Sequence, residues 1–387
     1  SHSRGGRTRQ ALRLHSPVRL YGGLFGARVE YLTARIMEPS CDLPVFSETI
    51  RWEEAQAVLE ARELGDGLPL VPPTRRRLDE MLAGIAAPER SYGQVPPLFG
   101  DLTLAAAAYN CVLAGCRPAE LPIVLTAVEA CVEPQFNLLG ILTTTGTPAI
   151  AVVVHGPAAR TLGLNASTNC LGPGNRVNAC LGRAVSLVLR NVGGARANVG
   201  DMATMGQPGK YTFCFAESDE AIFPLFHVRR GFDADASAVT VLGVSGTAEV
   251  LPDGLGDSPE SVLHPIAAAM NVAIAVTGAA RRPDRGEQFF LLPPELARLV
   301  AGHGLDLQRV QECLFETGRT LAFGGSMEGW SFASGEAATR PDTRPISRSP
   351  GDIHPIVTGG AGVKMTYLPL WAGGTLSVTM GVRELQG

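Results

Sequence analysis

The chain has 387 residues, 45% of them hydrophobic and 18% charged. That balance excludes disorder for most of its length and leaves room for one large core or two smaller ones. A formal net charge of −4 gives no electrostatic footprint for nucleic acid or an anionic membrane, and no apolar run reaches the ~18 residues needed to span a bilayer.

Residues 1–36 carry arginines at positions 4, 7, 9, 13, 19, 28 and 35 against a single acid, Glu30, and the first methionine is Met37. This Arg-rich stretch is expected to be a poorly ordered extension or a mis-set start, outside the folded part. Apolar spacing predicts a helix over 52–64 closed by Gly65, then an extended proline-fixed segment, "GDGLPLVPPT", with Thr74 capping a helix over 75–83. Two apolar helices follow at 102–114 and 119–131, broken at "GCRP", where Gly115 ends the first and Pro118 opens the second. "TPAIAVVVHGP" (147–157) is the clearest strand. Asn175 caps a helix that Gly193-Gly194 stops. Strands are expected at 211–216 and 237–251, and helices at about 260–275, 294–301 and 306–318. A Gly/Pro/Arg-rich loop spans 324–350, and the chain ends on a strand, a glycine turn and one more strand.

The pattern is α/β, with α+β as the alternative: a mixed sheet with flanking helices in two similar-sized lobes, 37–200 and 201–387. "AIAVVVHGPAA" and "DIHPIVTGGAG" echo one another as a strand running into a small, glycine-rich turn, a weak sign of internal duplication. Loops at the carboxyl ends of such strands are natural places for a site.

Chemistry is sought first in "NCLGPGNRVNACLGRAVSLVLRNVGGA" (169–195). The turn at Gly172, Gly174 and Asn175, with Arg176 in the first helical turn and Arg183 two turns on, could bind a carboxylate or phosphate. The alternative is a tight turn feeding a packed helix. The eight cysteines are scattered with no C-x-x-C pair, which indicates reduced cytoplasmic thiols and no structural zinc. No cofactor is implied. Cys116 stands at a helix boundary beside Arg117, a setting that lowers a thiol pKa and makes it the candidate nucleophile. His155 and His354, in echoing positions, are candidate bases. His227, beside Arg229 and Arg230, is a candidate for the rim of an acidic-substrate pocket. Lys210 and Lys364 are the only lysines, and Lys210 follows a tight turn where it could hold an anion or carbonyl.

Five motifs in order, "DGLPLVPPT", "AGCRPAELPIVL", "LGPGNRVNACLGRAVSLVLRNVGG", "GQPGKYTFCFAE" and "FHVRRGFDADASAVTV", resemble a poorly characterised bacterial family. Its members are encoded beside small proteins with a selenocysteine- or cysteine-Gly-Ser-Cys motif. The resemblance runs from about residue 66 to 379 and implies a two-component system whose companion supplies a selenol or thiol. This chain lacks that string and so resembles the larger partner.

The expected function is a thiol-dependent enzyme, or the substrate-binding subunit of one, acting on a small carboxylate or acyl substrate. In it Cys116 is the nucleophile, His155 its base and the 172–176 turn with Arg183 the anion site. A homo-oligomer is expected, with neither nucleic acid nor membrane as partner. Two alternatives stay open: a non-catalytic scaffold for a redox-active companion, and a cofactor-free hydrolase or lyase using His155 and Lys210.

Overall fold

The computed structural model describes residues 43–276, 286–320 and 345–385. Those from Pro44 onward form one compact unit. The expectation for residues 1–36 and most of the 324–350 loop lie outside the described residues.

Two short helices, α1 (Trp52–Ala61) and α2 (Arg75–Met81), precede a hairpin of β1 (Ser91–Val95) and β2 (Gly100–Thr103) that the sequence did not announce. Thr74 caps α2 by accepting from Arg77 N at 3.4 Å. Helix α3 (Leu104–Ala114) ends on Gly115 in the left-handed conformation, φ 85°, where a side chain would be strained. Residues 118–120 make one tight turn before α4 (Leu121–Val132). Short helix α5 (Leu138–Thr143) leads to β3 (Ala149–His155), and short α6 (Pro157–Leu162) leads to α7 (Arg176–Asn191). Helix α7 buries Val177, Leu181, Ala184, Val185 and Val188 along one stripe and packs on α3 and α4, a spacing that fixes which face turns inward.

Two four-stranded sheets organise the rest. Sheet one has the order β10-β5-β3-β4, with β4 at Cys214–Ala216, β5 at Ala238–Val244 and β10 at Val378–Gly381. Sheet two has the order β6-β9-β7-β8, with β6 at Ala248–Val250, β7 at Gln288–Leu292, β8 at Ile353–Val357 and β9 at Met365–Leu368. In each, the last pair is parallel and the other two are antiparallel. The registers agree as well. Glu217 N donates to Val154 O just as Thr358 N donates to Leu292 O.

Side-chain alternation sets the layers. Ala149, Ala151 and Val153 of β3 share a core with Phe289 and Leu291 of β7, Ile356 of β8 and Leu368 of β9. On the other face of sheet two, Phe290, Leu292, Ile353 and Met365 pack against α9 (Pro259–Val276), α10 (Pro294–Gly302) and α11 (Leu307–Thr320). The order is therefore helices, sheet one, sheet two, helices. Strands covered on both faces carry near-continuous apolar runs. The fold is α/β to α+β, with mixed sheets and flanking helices.

Several sequence expectations are corrected. The single strand over 237–251 is two, β5 and β6, which enter different sheets. The tail holds three strands, not two. "QFFLL" forms β7, and its unbroken apolar run carries no period that separates strand from helix. The topology equates β3 with β7, whereas the echo read from sequence set β3 against β8. Sheet one takes strands from both sides of residue 200. Among the described residues no helix is long and apolar enough to cross a membrane.

Candidate functional site

The carboxyl end of β3 delivers His155, and register brings its neighbours to it. Ala216 of β4 lies opposite Val154, so Glu217 emerges beside the imidazole. Thr240 of β5 lies opposite Val153, and Thr379 of β10 opposite Thr240. His155 Nδ1 is 2.7 Å from Glu217 Oε2, His155 Nε2 is 2.8 Å from Thr240 Oγ1, and Thr240 Oγ1 is 2.9 Å from Thr379 Oγ1. After His155 the chain turns at Gly156, φ 74°, where a Cβ would stand 2.1 Å from Ala236 O. Only glycine fits there.

A single turn of helix, α8 (Phe226–Arg229), closes this end of the inter-sheet layer. Phe226 N donates to both Glu217 oxygens, at 2.9 and 3.1 Å. The Phe226 ring meets His155, His354 and Phe289 at centroid distances of 5.9, 5.2 and 5.4 Å, with the Arg229 and Arg230 guanidinia each 4.8 Å from its centre. His227 stacks beside His155 at 5.5 Å and is fully buried, with no well-formed hydrogen bond at either ring nitrogen and only weak contacts to the Asp233 and Ala234 backbone. Burial first, then His155, lowers its pKa, against smaller opposite effects of Glu217 and the Ala234 and Asp233 backbone.

On the far side of Phe226, Glu287 accepts from Arg230, from Ser377 N at 2.6 Å and from Ser377 Oγ at 2.9 Å. His354 Nε2 stands 3.4 Å from Glu287 Oε1, at the long end of hydrogen-bond reach. Burial alone would raise the Glu287 pKa. The hydrogen bond and charge of a protonated His354, the Arg230 charge and the Ser377 amide outweigh it and hold it at about 2. Burial lowers His354 and brings Arg229 down to about 10.

Two of the predicted histidines, His155 and His354, thus flank the Phe226 ring, and His227 stacks on the first. The other predicted residues lie elsewhere. Cys116 neighbours Cys111, Cys180 and Glu120, a set that shares no member with the contacts of His155. Its contact with Cys111, then burial, then the nearby Glu120 charge push the thiol well up, the opposite of the lowering expected beside Arg117. Lys210 pairs with Asp201 at 2.6 Å and lines a cleft with Ala149 and Ile150. That is the other end of β3 from His155, roughly 20 Å away along the strand.

The anion turn is spent on the protein itself. Asn175 Oδ1 caps Asn178 N at 2.9 Å, and Asn175 Nδ2 donates to Gly163 O at 2.9 Å. Arg176 pairs with Glu120 and donates to Gly115 O. Arg183 grips Asp66 in two bonds of 2.8 Å. Gly172 is tucked under the Asn169 side chain, and Gly174 takes φ 124°. Gly172 lines a cavity of about 500 Å³ with Cys170, Pro173, Phe213 and Cys214.

Glu217 and Thr240 were missed, although an acid directly after the buried run "CFA" was visible. His155, Glu217 and His227 form a buried group whose potential ligand atoms all lie within 4.8 Å of one another. No metal motif showed because the three come from β3, the end of β4 and α8. Glu217 also lines a cavity of about 150 Å³ with Gly156, Ala159, Arg160, Leu164, Asp219 and Leu225.

Against known proteins, the chain matches no family model and no curated sequence.

Proposed function

We propose that the chain is an enzyme acting on a small carboxylate or acyl substrate, by hydrolysis or proton transfer, with Glu217 as the residue presented to it. The observation that carries this reading is the placement of the Glu217 carboxylate. Glu217 lines a cavity at the carboxyl ends of two parallel strands, and its buried carboxylate is fixed there by His155 and by Phe226 N. Strand ends of this kind are where α/β proteins hold ligands. The cavity, about 150 Å³, is below the range of drug-sized sites, which favours a substrate of few heavy atoms. Arg160 at its rim is exposed and pairs with Asp219 at 3.3 Å, a bond weak enough for an acidic substrate to displace. His155 is a positioning residue: its ring fixes Glu217 and is itself fixed by Thr240.

This is the hydrolase or lyase alternative with Glu217 in the place of Lys210. The thiol reading has less support, since nothing about Cys116 favours its thiolate. Turnover of a panel of small carboxylates, esters and thioesters, followed by NMR, separates the two. Glu217→Gln is expected to lower turnover of the accepted substrate by at least about a hundredfold, and Cys116→Ser to leave it unchanged. The reverse pattern would return the chemistry to the thiol.

A further inference from the structure

We propose that His155, Glu217 and His227 hold one divalent transition-metal ion of the zinc type. The proposal rests on the placement of the reaction centre given above and adds to it the ion that would activate a water there.

The first support is the unsatisfied ring of His227. It is fully buried, and neither nitrogen makes a well-formed hydrogen bond, the Asp233 and Ala234 backbone offering only weak contacts. Each such buried polar atom costs about 1–3 kcal/mol, and native structures seldom keep one without a bound partner. The second is convergence: three buried residues from three separate elements bring one donor atom each within 4.8 Å of the others. Two imidazoles bonded to one tetrahedral ion at about 2.0–2.1 Å place their ring centres roughly 5 Å apart. Those of His155 and His227 are 5.5 Å apart.

Outer partners are in place as well. A metal-bound histidine commonly uses its other nitrogen to bond a fixed neighbour, which sets its tautomer. His155 does this through Thr240, itself held by Thr379. When Nε2 carries the proton donated to Thr240, Nδ1 and Glu217 Oε2 face one another at 2.7 Å as two acceptors, a gap that either a second proton or a metal ion can bridge. Two nitrogens and one carboxylate suit zinc, cobalt, nickel or iron(II) and not magnesium or calcium. Glu217 also lines the small cavity, which has room for the water that would complete the set. Arg229 opposes the ion: its Nη2 lies 3.9 Å from Glu217 Oε1, drawn off by a bond of 2.6 Å to Pro355 O.

The test uses the full chain, stripped with a chelator and titrated with zinc by calorimetry and with cobalt(II) by absorption. One ion per chain is expected, with a tetrahedral cobalt spectrum and no thiolate-to-cobalt charge-transfer band. His227→Gln, which removes no well-formed hydrogen bond, is expected to weaken binding by more than about tenfold, and Glu217→Gln likewise, each with the melting transition retained. Should either variant fail to fold, cobalt-induced shifts of the His155 and His227 ring resonances in the wild-type chain decide the matter. No bound ion, binding untouched by both variants, or a charge-transfer band placing the ion on cysteines would each overturn the proposal. If no ion binds while Glu217→Gln still abolishes turnover, the reaction centre stands without the metal. If the ion binds and turnover ignores Glu217→Gln, the metal site stands and the catalytic reading fails.

Discussion

Sheets one and two share strand order, direction and register, yet they do different things at corresponding ends. Val154 and Leu292 are equivalent by their bonds to the following strand. The residues after them are His155 in one sheet and Pro293 in the other, and beside them stand Glu217 and Thr358. Thr240 corresponds to Thr366 in the same register. Thr358 spends its hydroxyl on Ala166 O and Ala216 O, tying loops together, while Glu217 lines a cavity. One scaffold thus appears twice in the molecule, with ionisable groups at one copy of a strand end and packing residues at the other. The difference lies in a handful of side chains, which is how folds carry chemistry without defining it.

The largest test of this comparison removes what the two sheets share. Phe226 is fully buried and touches both, so Phe226→Ala is expected to destabilise the fold by about 3–5 kcal/mol in chemical denaturation. A loss below about 1 kcal/mol would mean that the two sheets do not depend on this wedge.

Next comes the charge link between them. Glu287 precedes β7 of sheet two and binds Ser377, just before β10 of sheet one. Its pKa falls from the ordinary 4.5 to about 2. The stabilisation is therefore present above pH 4.5 and lost as pH falls through about 2, and it is worth about 3 kcal/mol when whole. Urea midpoints of wild type and Glu287→Gln should differ near neutrality and converge in acid. Parallel curves would contradict the assignment.

A matched pair sharpens the contrast at closer range. Thr240→Val strips the partner of a buried imidazole and is expected to cost about 1–3 kcal/mol. The equivalent Thr366→Val, at a half-buried site with no histidine beside it, should stay within about 0.5 kcal/mol. Equal costs would erase the distinction drawn between the sheets. The smallest effect concerns the thiols. With its pKa pushed up, Cys116 should alkylate more slowly at neutral pH than a free cysteine, measured by mass spectrometry of the native chain.

Local signals in the sequence carried the helices well. Thr74, Gly115 and Asn175 all end or begin elements where expected, because caps depend on a few neighbouring residues. Strand pairing was less legible, since β5 and β6 are separated by three residues and part into different sheets. Histidines 155, 227 and 354 were singled out from their positions at strand ends and beside arginines; His155 stacks on His227, while His354 lies across the Phe226 ring from them. Their partners were harder to find: Glu217 is 62 residues from His155 and Thr240 is 85, and only register unites them. Arg176 and Arg183 misled for the complementary reason. Glu120 and Asp66, which occupy them, are 56 and 117 residues away.

The crossing of β6 into sheet two and of β10 into sheet one has a consequence for how the protein is made. Each sheet borrows its edge strand from the other half, so neither is finished alone. Sheet one, with its histidine and acid, waits for residues 378–381, and Thr379 from that strand completes the tether through Thr240 to His155. A ribosome would release this stretch long after β3 has emerged. Chains cut short before it would thus lack both the border of the sheet and the last support of the His155–Glu217 pair, so that this buried network is complete only in molecules made through to β10.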